Sequence, residues 1–212
     1  MGSREMKVVP RAICLLTLCG TLAMLIGGCA TSPPDNADDI CEIFGEKRGW
    51  YKDARRSEKH WKVPIPTLMA FTYQESSYKH DAKPPRRKLL WVIPWTRPTS
   101  AKGYVQATDE AWTDYKKDTG RWRASRKDFE DAMDFVGWYN YTSHKRLGIP
   151  LNDPTGLYLA YHEGRGGYAR GSYRGKSSLM RIARRVHARS DRYAVQLRKC
   201  EDDLNDPWWW PF

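Results

Sequence analysis

Residues 63–82 read VPIPTLMAFTYQESSYKHDA and decide the expected fold of this chain of 212 residues. The prolines near the start of the stretch fit the first turn of a helix, where the backbone N–H has no partner to lose. Four side chains then recur at the spacing of a single helix face: Leu68, Phe71, Thr72 and Glu75. This spacing predicts a helix whose core-facing stripe ends in a carboxylate.

Glu75 is the residue of this stretch that suggests chemistry. It lies near the predicted C-terminus of the helix, where the helix dipole is negative and disfavours a carboxylate. Its place on the core-facing stripe adds desolvation, and both effects raise the pKa of a carboxyl group. A carboxylic acid that stays protonated near neutral pH can serve as a general acid. The alternative is an ordinary glutamate at the rim of the fold, half exposed to water.

Three later segments follow QESSYKHDA in a fixed order: AKGYVQAT, DFVGWYNYT and LAYHEG. In this order the four segments resemble the motifs of the family 1 lytic transglycosylases, typified by the soluble lytic transglycosylase. Those motifs are Glu-Ser, Gly-Leu-Met-Gln, Asn-Ile-x-x-Gly-x-x-Tyr-Leu and Ala-Tyr-Asn. The resemblance spans about residues 50–170, and the positions that match are Glu75, Ser76, Gly103, Gln106, Tyr141, Ala160, Tyr161 and Gly164.

The chain also departs from this family pattern. Tyr104 and Val105 replace Leu-Met in the second motif, while Asp134 and His162 each replace an asparagine. Residues 83–98 form an insertion whose prolines exclude a regular helix. Its basic and aromatic side chains either edge a glycan groove or pack on the domain.

The resemblance implies a mainly α fold, the helical lysozyme-like domain of goose-type lysozymes and transglycosylases. The residue patterns agree, since long alternating strand patterns are missing and only a short β-hairpin fits within residues 83–105. The helix that starts at Pro154 is expected to stop at Gly164. Cap signals predict three helix starts, at Thr108, at Ser125-x-x-Asp128 and at Asp153-Pro154.

A reaction with one carboxylate is also implied by the resemblance. Glu75 would protonate the glycosidic oxygen between N-acetylmuramic acid and N-acetylglucosamine, and would then deprotonate the muramyl 6-hydroxyl as a 1,6-anhydro ring closes. Tyr161 would orient Glu75 by a hydrogen bond, and Ser76 and Gln106 would hold the site or the sugar. The resemblance also implies that three other residues support the site or contact the substrate: Gly103, Tyr141 and His162. No cofactor or metal is expected, since the sequence has no HExxH or CxxC motif.

Two other functions fit the same segments. A hydrolytic muramidase would need a second carboxylate across the groove from Glu75, and Asp81 and Asp109 are candidates for it. A non-catalytic lipoprotein would use the groove only to bind the cell wall. Its signature would be loss of the acid, and Glu75 is present.

The N-terminus resembles a bacterial lipoprotein signal. Basic residues precede an apolar run over residues 13–26, which is too short to cross a bilayer. The letters GGCA follow, which predicts a signal peptide over residues 1–28 and a lipid-bearing Cys29. Ala30 after this cysteine implies the outer membrane, facing the periplasm. The alternative is an ordinary signal peptide with an incidental cysteine.

The chain is strongly basic, with a formal net charge of +11. Loss of residues 1–28 would remove three basic residues and one acid, which leaves +9. Export argues against nucleic acid as a partner, whereas peptidoglycan carries stem-peptide carboxylates that a basic surface attracts. The arginines of residues 181–198 either add to this attraction or form a solvated helix face.

The cysteines and chain ends complete the expected domain plan. Cys41 and Cys200 bracket the folded region of an exported protein, which predicts a disulfide, with two free thiols as the alternative. Residues 29–40 are expected to be a tether, residues 41–200 the lysozyme-like domain and residues 201–212 an aromatic tail. The tail tryptophans would pack back on the domain or contact a protein or membrane: Trp208, Trp209 and Trp210.

Overall fold

The helix expected from residues 63–82 is present in the computed structural model as Ile65–Ser76. A proline occupies its first turn, where no backbone hydrogen bond is lost. The helix ends because Ser77 adopts a left-handed conformation with φ of 50°. Glu75 therefore lies in the last turn, as the sequence predicts.

The structure describes residues 32–84, 88–89, 93–94 and 99–205, all within one compact unit that begins at Ser32. The predicted signal peptide, Cys29 and the three tail tryptophans lie outside these residues. The elements in chain order are α1 (Ile40–Glu46), α2 (Arg48–Trp61), α3 (Ile65–Ser76), β1 (Lys88–Leu89), β2 (Ile93–Pro94), α4 (Asp109–Thr119), α5 (Phe129–Leu147), α6 (Pro154–Ala169) and α7 (Ser177–Asn205). The mainly α fold predicted from the sequence is confirmed. None of the helices in the described ranges has the length and apolarity that a membrane span requires.

The strands β1 and β2 form a short antiparallel pair, with Lys88 opposite Pro94. They lie within residues 83–105, the range in which the sequence allows a short hairpin. Between residues 85 and 98 the structure describes the backbone of these two strands alone. Both interpretations of the insertion therefore stay predictions.

Capping side chains explain where α4 and α5 begin. Thr108 accepts a hydrogen bond from the Ala111 N–H and caps α4, as predicted. The cap of α5 is Asp128, whose carboxylate accepts from the Asp131 N–H at 3.0 Å. The predicted capping box led by Ser125 is wrong, because the Ser125 N–H instead donates to the Asp131 carboxylate and lies outside the helix.

The element α6 consists of two helical stretches that are separated by a kink at Gly164. Asp153 caps it and Pro154 lies in its first turn, as predicted. Gly164 has φ of 72° and ψ of 157°, and the helix then resumes and continues to Ala169. The helical backbone that starts at Pro154 therefore ends at Gly164, as predicted, in a conformation that is open to glycine. The second helical stretch, up to Ala169, is what the sequence did not predict.

The helix α3 is the buried centre of the domain. Most of its side chains are buried, and it packs against α7, α2 and α5. On its remaining side the Phe71 ring meets the rings of Tyr158 and Tyr161 edge-on. This aromatic packing fixes the last turn of α3, and Glu75 with it, beside α6.

The two ends of the domain are tied together. Cys41 and Cys200 form the predicted disulfide, with a sulfur–sulfur distance of 2.04 Å. Residues before α1 also contact α7, since Arg189 Nη1 donates to the Ala37 carbonyl at 3.0 Å and pairs with Asp38 at 2.9 Å. The end of the segment predicted as a tether is thus held against the domain.

Candidate active site

Two of the cavities among the described residues differ in the side chains that line them. The larger, about 590 Å³, lies between α1, α2 and the end of α7 and is lined by basic side chains such as Arg48 and Arg55. None of the residues predicted for catalysis or substrate binding lines it. The smaller, about 320 Å³, lies between the start of α4, the middle of α5 and the bend of α6, and is lined in part by Gln106, Tyr161 and His162. We therefore place the candidate site at the smaller cavity, which is called the groove from here on.

The loop at residues 103–107 forms one edge of the groove. Gly103 has φ of 81°, and a Cβ on it would lie 2.1 Å from the Arg126 carbonyl oxygen, so glycine is required. Gln106 also has a positive φ, of 47°. Its Nε2 donates to the carbonyls of Ala82 and Gly103 at 2.9 Å. Gln106 therefore braces the loop and joins it to the segment that follows α3.

Glu75 is not among the residues that line the groove, but it lies close enough to the lining residue Tyr161 to act on it electrostatically. Its Oε1 accepts a hydrogen bond from the Tyr158 hydroxyl at 2.8 Å. Burial raises the pKa of Glu75 to about 7, and the hydrogen bond from Tyr158 offsets part of that rise. At neutral pH the carboxyl group is therefore divided between its protonated and ionised forms. Such a group can both give and take a proton.

Tyr161 does not make the predicted hydrogen bond to Glu75. Its hydroxyl donates to the Val105 carbonyl at 2.5 Å, and Tyr158 takes the predicted role instead. Residues three apart on a helix share a face, so both rings reach Phe71, and tertiary packing decides which hydroxyl meets the carboxylate. Tyr161 still lines the groove, and burial together with the nearby Glu75 carboxylate raises the pKa of Tyr161 well above its ordinary value.

Another wall of the groove comes from α5. Trp138 and Tyr139 line it, and the Tyr139 ring lies 5.0 Å from the Tyr161 ring, centroid to centroid. The predicted Tyr141 is not among the residues at this wall. Its ring lies 5.8 Å from Trp61 of α2, because two residues along a helix rotate a side chain by roughly 200°. Tyr139 therefore occupies the place predicted for Tyr141.

Comparison with known families agrees with this geometry. The family model described as "Transglycosylase SLT domain" matches residues 17–200, most of the chain. This chain belongs to the SLT-domain family. The match confirms the resemblance to lysozyme-like lytic transglycosylases, and it supports a peptidoglycan-acting function of that general type. No curated protein and no solved structure matches this SLT domain significantly.

Ser76 and His162 of the SLT domain are placed differently. The Ser76 side chain is buried, and its hydroxyl donates to the Thr72 carbonyl at 3.2 Å, so it supports the end of α3. His162 is exposed and lines the groove, with Nδ1 3.2 Å from a carboxylate oxygen of Glu163. Of these two residues, His162 is the one that a ligand in the groove would meet.

The groove is lined by acids that the motifs did not indicate: Glu110, Asp114 and Glu163. Among these three, Glu163 is the one that forms a salt bridge with a described residue. Its side chain is only 6% exposed, and its carboxylate is bound by Lys176 at 2.8 Å and by the Ser172 hydroxyl. These two partners lower the pKa of Glu163 to about 2. Glu163 is therefore ionised throughout the neutral range.

The two acids that the sequence offered as partners of Glu75 do not line the groove. Asp109 is exposed and forms a salt bridge with Arg126, which lowers the pKa of Asp109. Asp81 is exposed on the turn after α3. Neither acid is thus placed as the second carboxylate of a hydrolase.

Sequence reasoning missed Tyr158, Tyr139 and Arg165 as residues of the site. A signal for Tyr158 was present, because it precedes the motif tyrosine by three residues and shares its helix face. Tyr139 and Arg165 carry no such signal. Their place depends on how α5 turns toward the bend of α6, which no local pattern specifies.

Proposed function

We propose that this protein is a lytic transglycosylase that cleaves the β-1,4 bond between N-acetylmuramic acid and N-acetylglucosamine without water. The observation that carries the proposal is the state of Glu75, a carboxyl group with a pKa of about 7 that is held by Tyr158. A group in this state can act as an acid in one step and as a base in the next.

The reaction needs two proton transfers. Protonated Glu75 first gives its proton to the glycosidic oxygen, the bond from that oxygen to the muramyl C1 breaks, and positive charge develops at C1. Ionised Glu75 then takes the proton of the muramyl 6-hydroxyl as its oxygen bonds to C1. The enzyme ends protonated as it began, and the product is 1,6-anhydro-N-acetylmuramic acid. A hydroxyl held beside C1 competes well with water because its effective concentration is high.

Hydrolysis on the same fold is the second candidate function. The observation that favours it is the presence of Glu163 in the groove. This buried acid lines the groove and stays ionised, as a water-activating base or a nucleophile must. Lys176 and Ser172 already bind its oxygens, however, and restrain it from either role. We therefore assign both proton transfers to Glu75. Glu110 and Asp114 also line the groove and are exposed to water, so product analysis has to decide against hydrolysis.

Product analysis separates the two mechanisms. Purified protein is incubated with peptidoglycan in water labelled with heavy oxygen, and the released muropeptides are analysed by mass spectrometry. We expect unlabelled products with 1,6-anhydro ends, lighter than hydrolysed muropeptides by one water. Reducing ends that carry the label would make the protein a muramidase. Binding without release of muropeptides would indicate a non-catalytic wall-binding protein.

Glu75→Gln tests the assignment of the acid. The expected loss of muropeptide release is at least about 100-fold, since general acid–base groups contribute about 10²–10⁴-fold. Glu163→Gln is the matched control and should keep the anhydro products. Release by the Glu75→Gln protein within tenfold of wild type would contradict the assignment.

The stability of Glu75→Gln shows whether the variant is folded. A folded-state pKa of about 7 against an ordinary 4.5 means that Glu75 favours folding below about pH 4.5, and that this contribution is lost as the pH rises through 7. At pH 8 the ionised group costs about 1–3 kcal/mol, allowing for its partial exposure. The variant should therefore be more stable than wild type at pH 8 and nearly equal to it at pH 4, as measured by thermal unfolding.

We also propose that residues 1–28 are a signal peptide and that Cys29 carries lipid, which would anchor the protein in the outer membrane facing the periplasm. The support is the basic and apolar N-terminal pattern followed by GGCA. Cys29→Ser should move the protein from the membrane fraction to the soluble fraction, because its lipid would be lost. Soluble wild-type protein, or its recovery with inner-membrane markers, would contradict the proposal.

A further inference from the structure

Arg165 is the arginine that lines the groove. Among the described residues that line the groove it is the one lysine or arginine, and it forms no ion pair with a described carboxylate. Its immediate neighbours are aromatic: the guanidinium carbon lies 4.1 Å from the Tyr139 ring centroid and 5.1 Å from that of Trp138. The acids Asp114 and Asp118 act on it without forming an ion pair. The groove is also lined by acids that do not pair with Arg165: Glu110, Asp114 and Glu163.

The guanidinium group donates two hydrogen bonds to described residues. Its Nε donates to Ser143 Oγ, and its Nη2 donates to the Tyr139 carbonyl, both at 3.3 Å. A guanidinium group has five N–H bonds, so those on Nη1 and one on Nη2 remain for a ligand. The bend at Gly164, directly before Arg165, turns the side chain back to α5. Position and orientation are thus set by the fold before any ligand arrives.

The chemistry of this position favours a carboxylate. Desolvation among the aromatic rings lowers the pKa of Arg165, which means that the charged form is under-solvated there. A carboxylate would relieve this cost with paired, charge-assisted hydrogen bonds to the open donors. The sugars of an intact glycan strand offer neutral hydroxyl and amide groups, whereas the stem peptides carry carboxylates.

We propose that Arg165 binds a carboxylate of the stem peptide and makes the groove selective for peptidoglycan whose peptides are charged. The inference rests on the proposed function, since it names the part of the substrate that the same groove reads. Contacts with the Tyr139 and Trp138 rings, together with its two hydrogen bonds, hold the guanidinium group in place, so that a carboxylate can meet two donors at once.

The test compares two forms of one polymer. Solubilised peptidoglycan is used as isolated, or after its carboxylates have been converted to neutral amides with carbodiimide and ammonia. For wild type we expect kcat/KM to be about tenfold higher on the charged polymer, the effect of a charge-assisted hydrogen-bonded pair. Arg165→Met should lower this preference to about twofold, the part that the overall basic charge supplies, and Arg165→Lys should give an intermediate value. Arg170→Met, which removes an exposed arginine at the end of the same helix, is the control and should keep it.

Both polymers are measured with the same protein preparation. If part of the Arg165→Met protein is unfolded, both rates fall by the same factor, and the ratio of the two kcat/KM values does not change. A wild-type preference below twofold, or an unchanged preference in Arg165→Met, would overturn the inference. A second experiment needs no turnover. Glu75→Gln protein and the double variant that also carries Arg165→Met are each cosedimented with insoluble peptidoglycan, native or amidated. Stronger binding to the native form that depends on Arg165 supports the inference even if no cleavage is found, in which case the proposed function alone fails.

Discussion

Glu75 owes its acidity to two opposed effects on one carboxyl group. Burial favours the protonated form, and the hydrogen bond from Tyr158 favours the ionised form, with burial the larger. The outcome is a pKa of about 7. Since the first step needs the protonated form, we expect cleavage to slow as the pH rises through this value.

Replacing Tyr158 with phenylalanine should move this pH limit upward. The hydroxyl stabilises the carboxylate at 2.8 Å, so its removal raises the pKa of Glu75 further and extends the protonated form to higher pH. The maximal rate should fall about three- to tenfold. The reason is that Glu75 is ionised between the two proton transfers, and a hydrogen bond worth about 1 kcal/mol no longer stabilises this ionised form. The pH dependence of kcat measures both effects.

Tyr168→Phe is the control for this change. Tyr168 lies on the same helix, and its ring stacks 5.0 Å from that of Tyr173, away from Glu75. The pH dependence of kcat of the Tyr168→Phe variant should match that of wild type. An alkaline limb that stays in place, or moves to lower pH, in Tyr158→Phe would show that another group controls the profile.

At the scale of elements, the groove depends on two places where regular structure is interrupted. The loop at residues 103–107 brings Gln106 to the groove edge through backbone conformations with positive φ at Gly103 and Gln106. The bend of α6 at Gly164 turns the following residues toward α5. Each interruption uses a glycine for a conformation that other residues adopt only with strain.

Gly103→Ala should destabilise the domain more than a glycine substitution in open space. The new Cβ would meet the Arg126 carbonyl oxygen at 2.1 Å, and strain at φ of 81° adds to this clash. We expect the free energy of unfolding to fall by about 2–4 kcal/mol in urea denaturation. Gly120→Ala has a similar φ of 70° with nothing within 4 Å and should cost only about 1 kcal/mol. Equal losses in the two variants would mean that the loop moves to accept the methyl group.

At the scale of the whole molecule, the disulfide joins the first helix to the last. Cys41 and Cys200 are 159 residues apart, so the bond removes much of the freedom of the unfolded chain. Replacing both with serine should lower the free energy of unfolding by about 3–5 kcal/mol. Neither cysteine lines the groove, so kcat/KM at low temperature should stay within about twofold of wild type.

Reductant provides the control for the disulfide. Wild type in reductant should unfold at the same urea concentration as the double serine variant, and the variant itself should not respond to reductant. Identical midpoints for oxidised wild type and the variant would show that the bond contributes nothing to stability.

Several features of this protein follow from its sequence because they depend on neighbours along the chain. The spacing of apolar residues specifies the helix Ile65–Ser76 and brings Glu75 to its last turn. Thr108 and Asp153 begin their helices because a side-chain oxygen caps backbone N–H groups two or three residues on. The motif order likewise indicated the SLT-domain family, and the family match confirms it.

The partners within the site were decided by tertiary structure. Tyr158 and Tyr161 lie on one helix face, and only the packing of α6 against α3 gives the hydroxyl of Tyr158 to a carboxylate 83 residues away in sequence. In the same way α5 turns Tyr139 to the groove and Tyr141 to Trp61. A helical pattern states which residues share a face, but the rotation of one packed helix against another depends on side chains from every element it touches. That is why the sequence could indicate the acid while the fold selected the groups that tune it.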